Sequence, residues 1–484
     1  MSNSDYDIIV IGGGPGGYVA AIRASQLGMS VALIEDKHLG GICLNWGCIP
    51  TKALLRASEI KHMLDNVDEF GFSVSNIKMD IDKITKRSRK VASQLSAGIS
   101  HLLKKNKVKV FEGFAHLVKG SSDLKTVKIK AKGKDILMTS KNIIIATGAR
   151  SRNLPFVSSD GKNIWDYKSA MTPDKLPKSM IIIGSGAIGM EFASFYSDLG
   201  VMVTVVEALP SILPNEDEDI SKIVETNFVK RGINIKTNTT LKSVETFDKN
   251  VSAEIICDGK IETITSEKLI LAIGIIANTE NLGLEKFNIK IDKGHIITNE
   301  WLETDEKGIF AIGDVTEGPW LAHKASHEGV LCVEKIAGHK NLNPIDKSSI
   351  PGCTYCRPQV ASIGLTEKKA NLQKLNIKVG KFPFVGNGKA IALGDSEGLI
   401  KTIFNDDTGE LIGAHMVGPE VTELIQGFSI AKKLETTEHE LMHNNLIMVF
   451  RITVGGVPPV TLKNGPFASC MVRMQLTKYR LQIK

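Results

Sequence analysis

Apolar and small residues are grouped along this chain in an order that occurs twice. In YDIIVIGGGPGGYVAAIRASQLGMSVALIE (6–35), an apolar run at 8–11 gives way to Gly12, Gly14 and Gly17. Small residues on one helical face follow (Ala20, Ala21, Ala24), and then a second apolar run closes on Glu35. The pattern predicts strand, glycine turn, helix, strand. SMIIIGSGAIGMEFASFYSDLGVMVTVVE (179–207) repeats it, with Gly184, Gly186 and Gly189 in the turn and Glu207 at the end of the second strand. One such glycine pattern arises easily by chance. The whole arrangement with its terminal acid, found twice, points to two dinucleotide-binding units. In each, the first glycine permits the turn and the second lets backbone amides approach a pyrophosphate. The third allows close helix packing, and the helix N-terminus adds partial positive charge. Glu35 and Glu207 are placed to accept hydrogen bonds from a ribose hydroxyl. No arginine follows Glu207 in EALPS to receive a 2′-phosphate, so NAD rather than NADP is expected at the second site.

Two more apolar runs, in KNIIIATGAR (141–150) and KGIFAIGDV (307–315), read as strands flanking an insertion, where a first nucleotide domain is left and later resumed. Asp314, at the end of the second, can reach a hydroxyl of a long dinucleotide. Beyond residue 346, VASIGLT and LIKTIFN alternate as strands, and PEVTELIQGFSIAKKLE has helical spacing. The expected fold class is α/β, with two Rossmann-like dinucleotide-binding domains, the second inserted in the first, and a C-terminal α+β interface domain. The expected boundaries are 1–150 and 275–345 for the first dinucleotide-binding domain, 151–274 for the second and 346–484 for the C-terminal domain.

Composition narrows the picture modestly. The 484 residues are 42% hydrophobic and 23% charged with 44 glycines, which suits an α/β protein with several domains. The seven cysteines are too few for a secreted disulfide scaffold. The opening MSNSDYDIIVIGGG has no signal-peptide succession, and no apolar run reaches the length of a membrane span. A bacterial cytoplasm is the expected location, with an organelle matrix as the alternative. The net charge of +7 owes six positive charges to the acid-free stretch 444–484, so the body is near neutral and no nucleic-acid partner is indicated.

GGICLNWGCIPTKAL (40–54) carries Cys43 and Cys48 five positions apart, just after the first dinucleotide unit. A zinc site would need further ligands. The spacing of Cys353 and Cys356 in PGCTYCRP supplies a second pair, but nothing in the sequence joins the two, and no metal is expected. Pro50 suits a helix first turn, which puts Cys48 at a helix N-terminus, where the dipole favours a thiolate; Lys52 shares the pocket. The reading is a reversible disulfide beside a two-electron cofactor. Cys353 and Cys356 read as structural thiols, and Cys257, Cys332 and Cys470 as buried small residues.

These stretches together, with ATGAR, GSGAIGMEF, GIFAIGDV and PGCTYCRPQVASIGLTE, resemble the flavin-dependent pyridine nucleotide–disulfide oxidoreductases. The similarity is greatest to the branch that oxidises dihydrolipoamide, and it runs over about residues 5–443. The resemblance implies FAD, NAD and a homodimer serving the lipoyl domains of 2-oxoacid dehydrogenase or glycine cleavage complexes. It implies that Cys43 exchanges with substrate and that Cys48 faces the flavin. Lys52 would lie near the flavin's reactive nitrogen, paired with Glu191. FAD would be held by Gly12, Gly14, Gly17, Glu35, Lys52, Ala115, Gly148, Asp314, Leu321, Ala322 and His323. NAD would be held by Gly184, Gly186, Gly189, Glu207 and Gly274. Electrons would pass from dithiol to disulfide, then to flavin, then as hydride to NAD. Glu207 without arginines disfavours a glutathione-type reductase, and a lone Cys470 disfavours a mercuric-ion reductase.

The resemblance implies a base as well: a His-Pro-Thr-x-x-Glu stretch soon after ELMH, acting across the dimer interface. Here the corresponding positions are about Met448 and Thr453, and His443 is the last histidine. The helical periodicity also stops there, and GGVPP and KNGP interrupt the segment. The readings are a frame change or sequence error near 444, or a divergent tail. The alternative functions are an NADH diaphorase with impaired dithiol turnover and a non-catalytic complex subunit.

Overall fold

The computed structural model describes residues 4–120, 124–131 and 133–443. They divide into two compact units, one drawn from residues within 4–180, 243–252 and 265–347, the other from 181–242, 253–264 and 348–443.

In the first unit the expected strand, turn, helix and strand form as β1 (Tyr6–Ile11), α1 (Pro15–Gln26) and β2 (Val31–Glu35). Two helices follow, α2 (Gly41–Trp46) and α3 (Cys48–Asp65), and then a long amphipathic one, α4 (Ile81–Lys105). Asp80 caps α4 by accepting the Lys83 amide. Strand β3 (Lys109–Glu112) leads into the meander β4 (Phe114–Val118), β5 (Lys125–Ala131) and β6 (Lys134–Ile145). The sheet order is β3-β2-β1-β6-β5-β4, parallel from β3 to β6 and antiparallel beyond.

β6 is long enough to take two partners along one edge. Its first half pairs with β5, and Ile143, Ile144 and Ile145 pair in parallel with the strand Ile309–Ala311. The chain therefore leaves this sheet after β6 and returns to it at Ile309, as the two apolar runs predict. The short strands Ala149–Ser151 and Ile275–Ala277 pair antiparallel at the exit and re-entry. Period-2 alternation divides the core between the two faces. Ile8, Val10, Leu33 and Ile144 pack with the alanines of α1, and Ile9, Ile11, Ile34, Ile143 and Ile145 pack on the other side. Helix Ala322–Ile336 lies against α1 so closely that a Cβ on Gly329 would fall 2.7 Å from the Gly16 carbonyl oxygen.

The second unit holds the second glycine turn, its helix Ala187–Asp198, and the parallel strands Met202–Val206 and Asn234–Lys236. It also holds a five-stranded antiparallel sheet. In spatial order its strands are Gly352–Thr354, Gln359–Gly364, Leu411–Gly418, Leu399–Asn405 and Ile377–Pro383. Helix Val421–Lys433 packs on this sheet through Val421, Leu424, Ile425 and Phe428. Two Rossmann-like units, one resumed after an insertion, and a C-terminal α+β domain make up the fold. Among the described residues no helix is long and apolar enough to cross a membrane.

Candidate active site

The first glycine turn shows three different demands at three glycines. Gly12 has φ +106°, and a Cβ there would sit 2.2 Å from the Ala146 carbonyl oxygen. A Cβ on Gly17 would sit 1.8 Å from the Gly12 carbonyl oxygen. Both are glycine because the protein itself fills the space. Gly14 differs: the nearest atom to its Cβ position is the Gly41 Cα at 3.9 Å. The face at Gly14, at the N-terminus of the 12-residue α1, is open and has the room and the partial positive charge that a pyrophosphate requires. The second turn repeats this, with Gly184 at φ +98° and Gly186 facing no atom within 4 Å. Gly189 is buried in the helix that follows.

The strand-end acids are tied down alike in the two copies. Glu35 accepts the Gly13 amide at 2.6 Å, and the Lys37 and His38 amides at 2.8 and 3.1 Å. Glu207 accepts the Ser185 amide and hydroxyl at 2.8 and 2.7 Å, and the Leu209 amide at 2.8 Å. A carboxylate has about four acceptor positions, so each keeps room for one ribose hydroxyl. Ser185, fully buried, stands where the first copy has Gly13, a partner that the spacing alone did not reveal.

The cysteine segment is built against the first turn. Gly40 and Gly41 are left-handed (φ +91° and +61°), and a Cβ on Gly41 would lie 2.8 Å from the Gly14 Cα. This contact places α2, which carries Cys43, directly beside the open face at Gly14. Cys48 is the first residue of the 18-residue α3, with Pro50 inside its first turn, as expected. The Cys43 and Cys48 thiols are within hydrogen-bond reach of one another. That bond, burial and the second sulfur's charge push Cys43 well above an ordinary thiol; Lys52 opposes the shift and Asp314 adds to it. Adjacent sulfurs do not both ionise readily, so the two thiols titrate as a pair. Burial, then the Cys43 charge, raises the phenol of Tyr18. Tyr18, an aromatic directly after the third glycine, is near enough to Cys43 to feel its charge, and the glycine and cysteine patterns did not point to it.

Asp314 lies on the short turn Gly313–Val315. Burial raises its carboxyl above the usual range; Glu328 adds to this, while Lys324 and His295 oppose it. The turn is held by a buried ion pair on helix Ala322–Ile336. Lys324 Nζ lies 2.8 Å from Glu328 Oε1, with the side chains 1% and 5% exposed. Glu328 accepts the Gly313 amide at 2.7 Å, and Lys324 donates to Thr316 Oγ1 and the Glu317 carbonyl at 3.2 and 3.0 Å. Leu321 is the N-cap of the same helix, Ala322 its first residue, and His323 is exposed. The chain's own groups fit a dinucleotide in the first unit: an open glycine cradle, an acid at each end and a dithiol beside them.

The remaining expected residues are more dispersed. Glu191 is buried in the second unit and accepts the Tyr355 amide at 2.9 Å. Ala115 is buried in β4, so only its main chain can meet a ligand. Gly148 (φ +67°) and Gly274 (φ +103°) each face open space. Cys356 is buried, donates to the Pro358 carbonyl at 3.1 Å, and is pushed up to about 12 by burial and then by the Glu191 charge. Cys353 lies on the strand Gly352–Thr354. Cys332 is buried as expected; Cys257 is a correction, being half-buried near the end of the strand Val251–Cys257. Cys470 and the positions Met448 and Thr453 lie outside the described residues. Among the described residues no cluster of three or more His, Cys, Asp or Glu is placed to hold a metal ion.

Comparison with known proteins adds the following. The family profile "Pyridine nucleotide-disulphide oxidoreductase" matches residues 6–329, and the dimerisation domain of the same family matches 350–448. A Zymomonas mobilis protein named dihydrolipoyl dehydrogenase is 52% identical over 438 residues, covering 90% of this chain and 93% of that one. A Rhizobium etli protein of the same name is 52% identical over 454 residues, covering 90% and 94%. Among solved structures, LpdA from Mycobacterium tuberculosis superposes with a TM-score of 0.87 at 28% identity, over 94% of this chain and 98% of that one. RclA from Escherichia coli, a flavoprotein disulfide reductase, shares the fold with a TM-score of 0.82 at 23% identity, over 95% and 100%.

Proposed function

We propose that this chain, which belongs to the pyridine nucleotide–disulphide oxidoreductase family, oxidises dihydrolipoamide to lipoamide while reducing NAD+ to NADH and a proton. The observation that carries it is the hydrogen-bonded Cys43 and Cys48 pair, set on the open glycine cradle with Asp314 facing it. FAD, when bound, supplies the two-electron relay between a dithiol and NAD+.

In this reading Cys43 exchanges with the substrate dithiol. Its sulfur takes the bond to the incoming sulfur, the bond to Cys48 opens, and closure of the substrate disulfide leaves both cysteines reduced. Cys48, at the start of α3, faces the flavin, and the α3 N-terminus favours its anionic form. Lys52 supplies positive charge beside the pair. Gly12, Gly14, Gly17, Glu35, Ala115, Gly148 and Asp314, with the main chain at Leu321, Ala322 and His323, hold FAD. Gly184, Gly186, Gly189 and Glu207 hold NAD. The dimerisation-domain match supports a homodimer, and the lipoyl domains of multienzyme complexes are its partners. A bacterial cytoplasm fits the organisms of the relatives.

A second reading rests on one sequence fact: no histidine, aspartate or glutamate follows His443. Without a base, dithiol turnover is impaired while electron flow from NADH to flavin is kept. One purified sample assayed both ways separates the two. NAD+ reduction by dihydrolipoamide together with NADH–ferricyanide activity supports the full reaction. Ferricyanide activity alone supports the second reading. Loss of both, with no flavin bound, refutes each.

A further inference from the structure

The segment joining the two redox cysteines is held from one side by a single helix. α2 ends and α3 begins within Asn45, Trp46 and Gly47, so this joint sets the spacing of the two sulfurs. From α4, Arg89 donates Nη2 to the Asn45 carbonyl at 2.6 Å and lays its guanidinium over the Trp46 ring, 4.2 Å from the centroid. Two turns along the same helix, Ser96 donates to Asn45 Oδ1 at 2.9 Å. Asn45 Nδ2 in turn donates to the Leu39 and Gly41 carbonyls at 3.0 and 2.9 Å. The Lys168 ammonium lies 5.9 Å from the Trp46 ring. Arg89 Nε is buried with no hydrogen-bond partner, so the Asn45 carbonyl and the indole face are what hold the guanidinium.

We propose that Arg89 and Trp46 form a clasp that fixes the joint between Cys43 and Cys48 and so sets how readily their disulfide closes. The proposal rests on reading the pair as redox-active. Closing a tethered disulfide is intramolecular, and its equilibrium scales with the effective concentration of one sulfur about the other. A free joint dilutes that concentration. Arg89 makes its contacts on the joint itself, with the Asn45 carbonyl and the Trp46 ring. Its effect is therefore positional, and it acts as a positioning residue.

The test uses holoenzyme equilibrated with mixtures of reduced and oxidised dithiothreitol, then alkylated, with the Cys43 and Cys48 peptides quantified by mass spectrometry. One reduced dithiothreitol gives up two electrons and two protons and closes to its cyclic disulfide as the protein disulfide opens to two thiols. Arg89→Met is expected to lower the protein's disulfide-to-dithiol ratio roughly tenfold, a potential about 30 mV more positive. Arg89→Lys keeps a donor for the Asn45 carbonyl and falls between; Trp46→Phe keeps a ring face and shifts less. An Arg89→Met protein with wild-type flavin content and a ratio within about twofold of wild type overturns the clasp. Should that variant fail to fold, Arg89→Lys and Trp46→Phe decide, and wild-type ratios in both overturn it. A wild-type pair that stays reduced at every dithiothreitol ratio overturns the redox reading and the clasp with it.

Discussion

Replacing Lys324 by methionine isolates the ion pair beneath the Asp314 turn. The change removes the ammonium from Glu328, Thr316 and Glu317, and leaves the Glu328 carboxylate buried with only the Gly313 amide as donor. Breaking a buried pair in this way costs about 3–5 kcal/mol. A ceiling comes from the cheaper escape, protonation of Glu328. Holding a carboxyl of ordinary pKa near 4.3 protonated at pH 7 costs about 3.7 kcal/mol. Burial already raises the Glu328 carboxyl in the wild type, against the pull of Lys324, so this escape is open. The sign follows. With its folded pKa above its unfolded one, Glu328 in the variant carries a penalty above about pH 4.3 that shrinks by about 1.4 kcal/mol for each unit the pH falls. The double variant Lys324→Met/Glu328→Gln keeps an acceptor for the Gly313 amide and should recover about 2 kcal/mol or more. Urea unfolding followed by far-UV circular dichroism at pH 7.5, 6.5 and 5.5, at fixed FAD excess, measures all of this, with bound flavin counted on the same samples. A loss under about 1 kcal/mol at neutral pH would refute the reasoning, and so would an equal loss at all three pH values.

The glycine turns make a contrasting pair of predictions. Gly17→Ala has no room for its methyl and should yield little flavin-bearing protein. Gly186→Ala, at an ordinary φ of −67° with open space, should keep the wild-type melting temperature while raising KM for NAD by about tenfold. Steady-state kinetics and thermal melts check both, and the reverse pattern would mean that the cradle is misassigned. His415 is buried, with Nε2 against the Leu365 carbonyl and Nδ1 unpartnered; burial lowers its pKa, with Leu365 and Asp217 opposing and Lys401 and Lys369 assisting. A histidine kept neutral in this way contributes full stability above about pH 6.5 and loses it as the pH falls below that value. His415→Asn should flatten the loss between pH 7 and 5.5 in denaturant midpoints, and superimposable profiles would exclude His415 as its cause.

Much of the site was legible because glycine, proline and cysteine carry backbone information in their identity. The φ of Gly12, the collision at Gly17 and the opening at Gly14 are what GxGxxG encodes, and Pro50 announces the start of α3. The insertion was legible because Ile309 and its neighbours are too apolar to be anything but a buried strand. Other features depend on partners distant in sequence. Nothing in RSRKVASQLS says that Arg89 reaches back to Asn45 and Trp46, or that Ser96 completes the same joint. Lys324 and Glu328 sit four apart on a helix and read as an exposed pair of little weight; their burial comes from the turn folded over them. Asp198 likewise binds both Arg231 and Arg357, at 2.8 Å each, a bridge across more than a hundred residues with no local signature.

The pairing of Ile143 with Ile309 also governs when this protein can become itself. On the ribosome, β1 to β6 emerge early, but Ile143, Ile144 and Ile145 on one edge of β6 have no partner until about 170 further residues have been made. At roughly 5–20 residues per second that interval is on the order of 10–30 s. During it the nascent chain shows an unpaired strand edge and lacks Asp314 and the helix that packs on α1. The first glycine turn and the cysteine segment are encoded in the first fifty residues, and the helix that packs on α1 is complete only at Ile336. A nascent chain stalled before that point exposes an aggregation-prone edge instead of a cofactor-binding surface.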